Sequence, residues 1–435
     1  MGTTAVLILL ACLTAVQGWL FPTVCVKQWN GTRIRCCPSF NGSDCGSKDN
    51  RGSCMMLPSS RAALPPDVRM DERYNLAEFV FSAICQCKPT FLGPACGECA
   101  FGLTGDRCDK PNIVYRRDII SLTKAQFITF LAELHYCKYK LDLEYSILSS
   151  VDRFRRTSYE FRSVSFYDHM CFIHAYITAP FINGTRERSW INFGHESTGF
   201  LTWHRLYLMQ FERQLQKCLN NPSWGLIYYS WEYEDPTECI FCRNDYFGAT
   251  DHQGRIDPGS VLSHWRMVCG GLNYPDSICV MSDCECERDK FIRQVGLTGF
   301  IKSTYTDVEA CMNLPIDTPE YNSASVNSAR NCFEGFWSPG YGYGVTMHNA
   351  YHMFIAGTMA LVPVACNDPL FYVHHANIDK FMEAYIVRNK ITPADYPSDN
   401  YVYGHSGSSC IPPFLNCWRH RSMLTSINYY NIFYV

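Results

Sequence analysis

A mainly α-helical domain, in which four helices present histidines to one site, preceded by a small disulfide-rich module, is the fold this sequence predicts. Three observations carry that reading. Six of the 13 histidines fall in two groups, His174, His195 and His204, then His348, His352 and His375, in or beside segments of helical character. Of the 25 cysteines, ten crowd between Cys25 and Cys108, too densely for an ordinary apolar core. Gly, Pro, Asn, Asp and Ser accumulate over residues 235–345, which reads as long loops between helices.

Taken in order, residues 4–17 are an apolar run followed by Gly18, and residues 1–18 read as a secretory signal peptide although the usual basic start is missing. The run is short for a membrane span. Residues 19–110 form the cysteine-rich module. Its spacing Cys85-x-Cys87-x8-Cys96-x2-Cys99-x8-Cys108, with Gly93, Gly97, Gly102 and Gly105 between, resembles an EGF-type unit. Cys96 and Cys99 have a zinc-like spacing, but secretion and glycine-rich turns favour disulfides. Residues 56–75 read as a loop. Asn30, Asn41 and Asn183 stand in glycosylation sequons. A boundary is expected near Pro111, and the pattern then predicts helices over roughly 123–150, 166–180, 200–219, 345–356 and 368–388. The domain is taken as 111–405 and 406–435 as a divergent tail, bounds that follow from the family resemblance given below. That tail has no run of about twenty apolar residues, so no transmembrane helix is expected in the mature chain, which would be secreted or lumenal, or a truncated product. A formal charge of −3 gives no reason to invoke nucleic acid.

The histidines carry the chemistry. His348 and His352 are four apart, hence on one helix face. His375 follows Asn367-Asp368-Pro369, where Pro369 suits a first turn and Asp368 or Asn367 can cap it. Phe371 lies four before His375 and is placed to buttress it. His195 and His204 are nine apart, so a loop must return one to the other. His174 lies in an apolar segment that reads as a buried helix. Alone, each is more often a packed histidine; together they describe three imidazoles on each of two metals. Imidazole suits copper, and a three-histidine set leaves a position open for dioxygen.

These segments resemble the copper-binding signatures of the animal melanogenic tyrosinase family. The matching pieces are His195-Glu196 through Phe200-Leu201-x-Trp203-His204-Arg205, Met347-His348-Asn349-Ala350-x-His352, and Asn367-Asp368-Pro369-x-Phe371-x-x-His374-His375. The resemblance runs from about residue 20 to 405. It implies two copper ions, the first on His174, His195 and His204, the second on His348, His352 and His375, the second histidine of the final pair. It implies dioxygen as co-substrate, ortho-hydroxylation of monophenols such as tyrosine, and oxidation of catechols such as dopa to quinones in melanin synthesis. Glu334 and Asn349 match the residues that hold a water as base. Tautomerase relatives bind zinc and have leucine where this chain has His374, although Leu201-Thr202-Trp203 resembles them. An oxygen carrier or a non-catalytic partner protein is the alternative from another class. Phe193, two before His195, predicts no cysteine–histidine thioether there. The family's Pro-Tyr-Trp-Asp-Trp appears as Tyr229-Ser230-Trp231-Glu232-Tyr233, which puts metal loading in question. Cys239, Cys242, Cys269, Cys279 and Cys311 fall where the family has cysteines. Cys137, Cys171, Cys218, Cys284, Cys286, Cys332, Cys366, Cys410 and Cys417 are additions, some expected to pair.

Overall fold

A computed structural model describes residues 21–27, 29–57, 80–152, 157–178, 181–183, 186–188, 194–195, 199–269, 286–316, 328–338, 342–392, 395 and 432–435. The signal segment, Phe193, Cys410 and Cys417 lie outside them, as do most of the expected loop at 56–75 and of the tail.

The amino-terminal part is built from short strands. β1 (Ile34–Cys36) lies parallel to β3 (Phe81–Cys87), and β2 (Gly52–Met56) lies antiparallel on its other side. Three two-stranded ladders follow the glycine turns between Ser39 and Pro111. A segment with so little apolar surface is held covalently. All ten of its cysteines pair, as Cys25–Cys36, Cys37–Cys54, Cys45–Cys85, Cys87–Cys96 and Cys99–Cys108.

Beyond it the chain is helix-rich. α1 (Lys124–Tyr139) starts at Thr123, whose side chain and that of Gln126 cap each other's backbone N–H. The expected helix over 123–150 stops here. Asp142 accepts the N–H groups of Glu144 and Tyr145, a turn that competes with helix. The chain continues as β5 (Ile147–Asp152), paired antiparallel with β6 (Thr157–Arg162). α2 (Phe166–Thr178) is buried on every face up to Ile177, as an apolar sequence without a polar stripe requires. α3 (Gly199–Leu219), α6 (Met347–Ile355) and α7 (Leu370–Asn389) fall near their expected bounds. Asp368, not Asn367, accepts from Leu370 N–H at 3.0 Å. Residues 235–345 are not loop throughout. They hold α4 (Tyr305–Met312) and α5 (Ala329–Glu334), which are short and joined by Cys311–Cys332, so their periodicity is too brief to read.

The helices α2, α3, α6 and α7 form the core, with α3 against α2 and α7, and α6 against α7. α1 packs outside α2 and α3 and is tied to α3 by Cys137–Cys218, which closes a span of 81 residues. Replacing both by alanine is expected to lower stability by about 2–4 kcal/mol, read as a fall in urea midpoint with a steeper slope, because the unfolded chain freed of this loop exposes more surface.

A parallel sheet lies under the bundle. β4 (Val114–Asp118) is flanked by β7 (Ile227–Tyr228) and β8 (Ile432–Tyr434). The end of the chain is thus paired into the domain rather than set apart from it. Among the described residues no helix is long and apolar enough to cross a membrane.

Candidate metal centre

The first three histidines come from two helices and a bend. His174 is on α2, His204 on α3, and His195 lies in the bend ahead of α3. Their ligand nitrogens lie within 4.8 Å of one another, and all three rings are buried. The ring centroid of His195 is 5.3 Å from that of His174 and 4.8 Å from that of His204. His204 donates Nδ1–H to the carbonyl of Phe200 at 2.8 Å, which turns Nε2 inward. That Nε2, and both ring nitrogens of His174, find no hydrogen-bond partner among the described residues. Buried polar nitrogens are rarely left so unless something is to be bound.

The second group comes from α6 and α7. His352 donates Nδ1–H to the Met359 carbonyl at 2.7 Å. His348 Nδ1 lies 3.2 Å from the Glu334 carbonyl and 2.9 Å from Asn349 Oδ1. Such bonds fix the tautomer and point Nε2 at a metal. His375 Nε2 lies 3.2 Å from that of His348 and 3.3 Å from that of His352. The neighbouring His374 also brings a ring nitrogen within 4.8 Å of those of His348 and His352. However, its Nδ1 already accepts the Trp231 indole N–H at 3.1 Å, and its ring lies flat against Tyr351. His375 instead stacks on His204 at 4.3 Å, which sets the two histidine groups side by side.

Burial, and then the neighbouring imidazoles, push the protonation of His195, His204, His348 and His375 well below the ordinary histidine range. Burial brings His352 down to about 4, against the opposing pull of the Met359 carbonyl. At neutral pH these rings are uncharged, the form in which imidazole binds metal. The donor set therefore fits two copper ions. Six imidazole nitrogens, with several inward-facing atoms unsatisfied, suit copper as a ligand set with no carboxylate or thiolate.

A cavity of about 220 Å³ opens over the histidines and is walled chiefly by apolar side chains, among them Val345, Met353, Val362 and Phe371. Phe371 lies 4.1 Å from the His375 ring and 4.9 Å from the His174 ring. Glu334 and Asn349 also line the cavity. The Glu334 carboxylate is held by Arg330 at 2.7 Å, both fully buried. Gly335 makes this corner possible. It has φ +103°, and a Cβ there would stand 2.0 Å from the Thr346 carbonyl. Gly335→Ala is expected to lose more than about 1 kcal/mol of stability, since neither the backbone region nor the space admits it. Its thermal midpoint, compared with that of the parent protein, checks this.

Sequence reasoning missed three supports. Trp231 and Glu232 lie beneath α7, where Glu232 accepts from Asn377 Nδ2 at 2.8 Å and from Lys380 at 3.0 Å. The altered segment at 229–233 thus still packs under the second histidine group. Arg116, on β4, donates to Glu212 at 2.8 and 2.7 Å and to Asp379 at 2.8 Å, and Arg205 also grips Asp379. The carbonyls of Phe200, Glu334 and Met359 orient three rings. The signal for Arg205 was available, since it follows His204; a backbone carbonyl has none.

A helical core that brings two groups of histidines together at the foot of an apolar cavity fits a dinuclear metal protein of the all-histidine kind. Residues 164–388 match the family model for the common central domain of tyrosinase. The chain is 32% identical to the tyrosinase of Bos taurus over 430 residues, covering 93% of this chain and 80% of that protein. It is 29% identical to the 5,6-dihydroxyindole-2-carboxylic acid oxidase of Mus musculus, over 92% and 79% of the two chains. Among solved structures, a polyphenol oxidase from Thermothelomyces thermophila is similar at 17% identity and a TM-score of 0.47, over 77% of this chain and 90% of that one. The chain belongs to the tyrosinase family.

Proposed function

We propose that this protein is a copper-dependent phenol oxidase that hydroxylates monophenols such as tyrosine ortho to the hydroxyl and oxidises catechols such as dopa to quinones. The observation that supports it most is the convergence of His375 on His348 and His352 while it stacks on His204. In this reading His174, His195 and His204 hold one copper, and His348, His352 and His375 the other. The bound copper pair supplies dioxygen activation, which no side chain can.

The remaining roles belong to the chain. Phe371 and the apolar wall seat the aromatic ring and exclude water, which strengthens every polar interaction inside. Glu334, paired with Arg330, and Asn349 hold a water that takes the phenolic proton. A phenol that has lost its proton is the more electron-rich ring, as ortho attack requires. Nδ1–H donation to fixed carbonyls keeps the imidazoles in one orientation through turnover.

The domain reading goes with this proposal. Residues 19–110 would be a disulfide-held, EGF-like module and 111–405 the oxidase domain, folded in the lumen of the secretory pathway. Asn30 and Asn41 are exposed, as glycan acceptors need to be. The test is metal content of the full chain produced with copper, followed by oxygen uptake on dopa and tyrosine. Two coppers per chain with turnover is the expected outcome. Two zincs, or copper that binds oxygen without consuming catechol, would replace this reading by a tautomerase-like protein or an oxygen carrier.

A further inference from the structure

Two cysteines stand apart from the rest. Among the cysteines whose side chains are described, Cys171 and Cys366 alone are free thiols, while sixteen others pair in eight bridges and Cys269 is also bridged. They are neighbours, although 195 residues separate them in sequence. Cys171 Sγ lies 3.2 Å from the Cys366 carbonyl, and Cys366 Sγ lies 3.7 Å from the Cys171 carbonyl. This reciprocal contact sets the two residues side by side. Both are buried, Cys171 at 1% and Cys366 at 0% exposure.

Their places in the fold matter. Cys171 is on α2, one turn before His174. Cys366 is the last but one residue of the 3-10 segment Val362–Asn367 that leads into α7, which carries His375. The backbone around them is pinned: Tyr167 donates to the Cys366 carbonyl at 3.0 Å, and Tyr207 to the Met170 carbonyl at 2.9 Å. With both backbones fixed, rotation of the two thiols about χ1 is the motion left to bring sulfur to sulfur.

We propose that Cys171 and Cys366 form a site of covalent cross-linking, a disulfide that ties the helix bearing His174 to the turn that launches the helix bearing His375. The oxidant is a disulfide, of the small-molecule or protein kind that forms the other bridges. One thiolate attacks it and expels a thiol, leaving a mixed disulfide. The second thiolate then attacks the first cysteine's Sγ and expels the oxidant's remaining half as a thiol. The chain loses two thiol hydrogens, and the oxidant leaves as two thiols. Because both sulfurs are inaccessible in the packed domain, the exchange belongs to folding, before α2 closes on the segment ahead of α7. The link would hold together the halves of the structure that carry the two histidine groups.

The test needs no variant. The full chain, folded in the presence of oxidised glutathione, is denatured without reductant in iodoacetamide, digested and mapped by mass spectrometry. A peptide pair joined through Cys171 and Cys366, lighter by two hydrogens than the separate peptides, is expected. Recovery of both cysteines alkylated, or of either one carrying glutathione alone, overturns the proposal. Unfolding midpoints give an independent check. If the bridge exists, Cys171→Ala, Cys366→Ala and the double variant lose nearly the same stability, because either single change breaks it. Two additive losses would mark a pair of separately packed thiols and would also overturn it.

Discussion

His375→Ala is expected to remove one of the two coppers per chain and to abolish oxidation of dopa, whereas His374→Ala is expected to keep both metals. The two residues are adjacent, and both bring nitrogens near His348 and His352. What separates them is how each ring is engaged. His374 Nδ1 accepts the Trp231 indole N–H, and the ring is sandwiched between Tyr351 and His348 at 4.2 and 5.2 Å. It acts as a partner to a ligand's surroundings. His375 has its Nε2 directed at those of His348 and His352 and forms the stack with His204. Loss of a metal-binding ring removes the site. Loss of a supporting ring commonly costs about 10–100-fold in affinity or activity. Copper per chain by elemental analysis, measured on both variants beside oxygen uptake, decides between them. A His374→Ala protein with one copper and a His375→Ala protein with two would reverse the assignment.

Much of this site was legible because metal binding needs particular side chains at particular helical offsets. His348 and His352 at i and i+4, and Pro369 before Phe371 and His375, are spacings that a helix turns directly into geometry. The four helices that carry His174, His204, the 348/352 pair and His375 appear where their apolar periodicity put them. The helix over 123–150 failed because Asp142 turns the backbone, and periodicity does not weigh a side chain that competes for backbone N–H groups. α4 and α5 were invisible since a helix of eight residues or fewer, here stapled by Cys311–Cys332, carries barely two turns of pattern. The choice of His375 over His374 came from likeness to a family, not from spacing. The physical reason, the Trp231 indole, is 143 residues away in sequence. Cysteine pairing shows the same limit. An even count predicted that residues 19–110 would be fully bridged, but not which thiols meet.

Asp379→Ala should be among the most damaging substitutions that leave all six histidines in place. Asp379 is four residues beyond His375, on the same face of α7. It receives Arg116 from the sheet below and Arg205 from α3, the residue after His204, and Tyr434 from β8 also donates to it. Arg116 is fully buried and Arg205 nearly so. Removing the carboxylate leaves Arg116 with Glu212 alone and Arg205 dependent on Glu383 at 3.2 Å. Removing one partner of a buried ion pair costs at most about 3–5 kcal/mol, and the loss here falls short of that ceiling because Glu212 and Glu383 still face the two guanidiniums. The expected result is a large fall in thermal midpoint together with weakened copper retention, since α3 and α7 would no longer be held at one separation. The same network gives a pH signature. Burial alone would raise the Asp379 carboxyl, but the Arg205 and Arg116 guanidiniums outweigh it and hold it below its ordinary value of 3.8. A carboxyl depressed in the folded state contributes stability that is fully present above its unfolded pKa and is lost as pH falls through the folded one. Stability of the parent protein should therefore decline below about pH 4, near the ordinary aspartate pKa, and Asp379→Asn should show a shallower decline from a lower starting point. An unchanged acid limb in that variant would mean that carboxylates other than Asp379 set the acid stability of the domain.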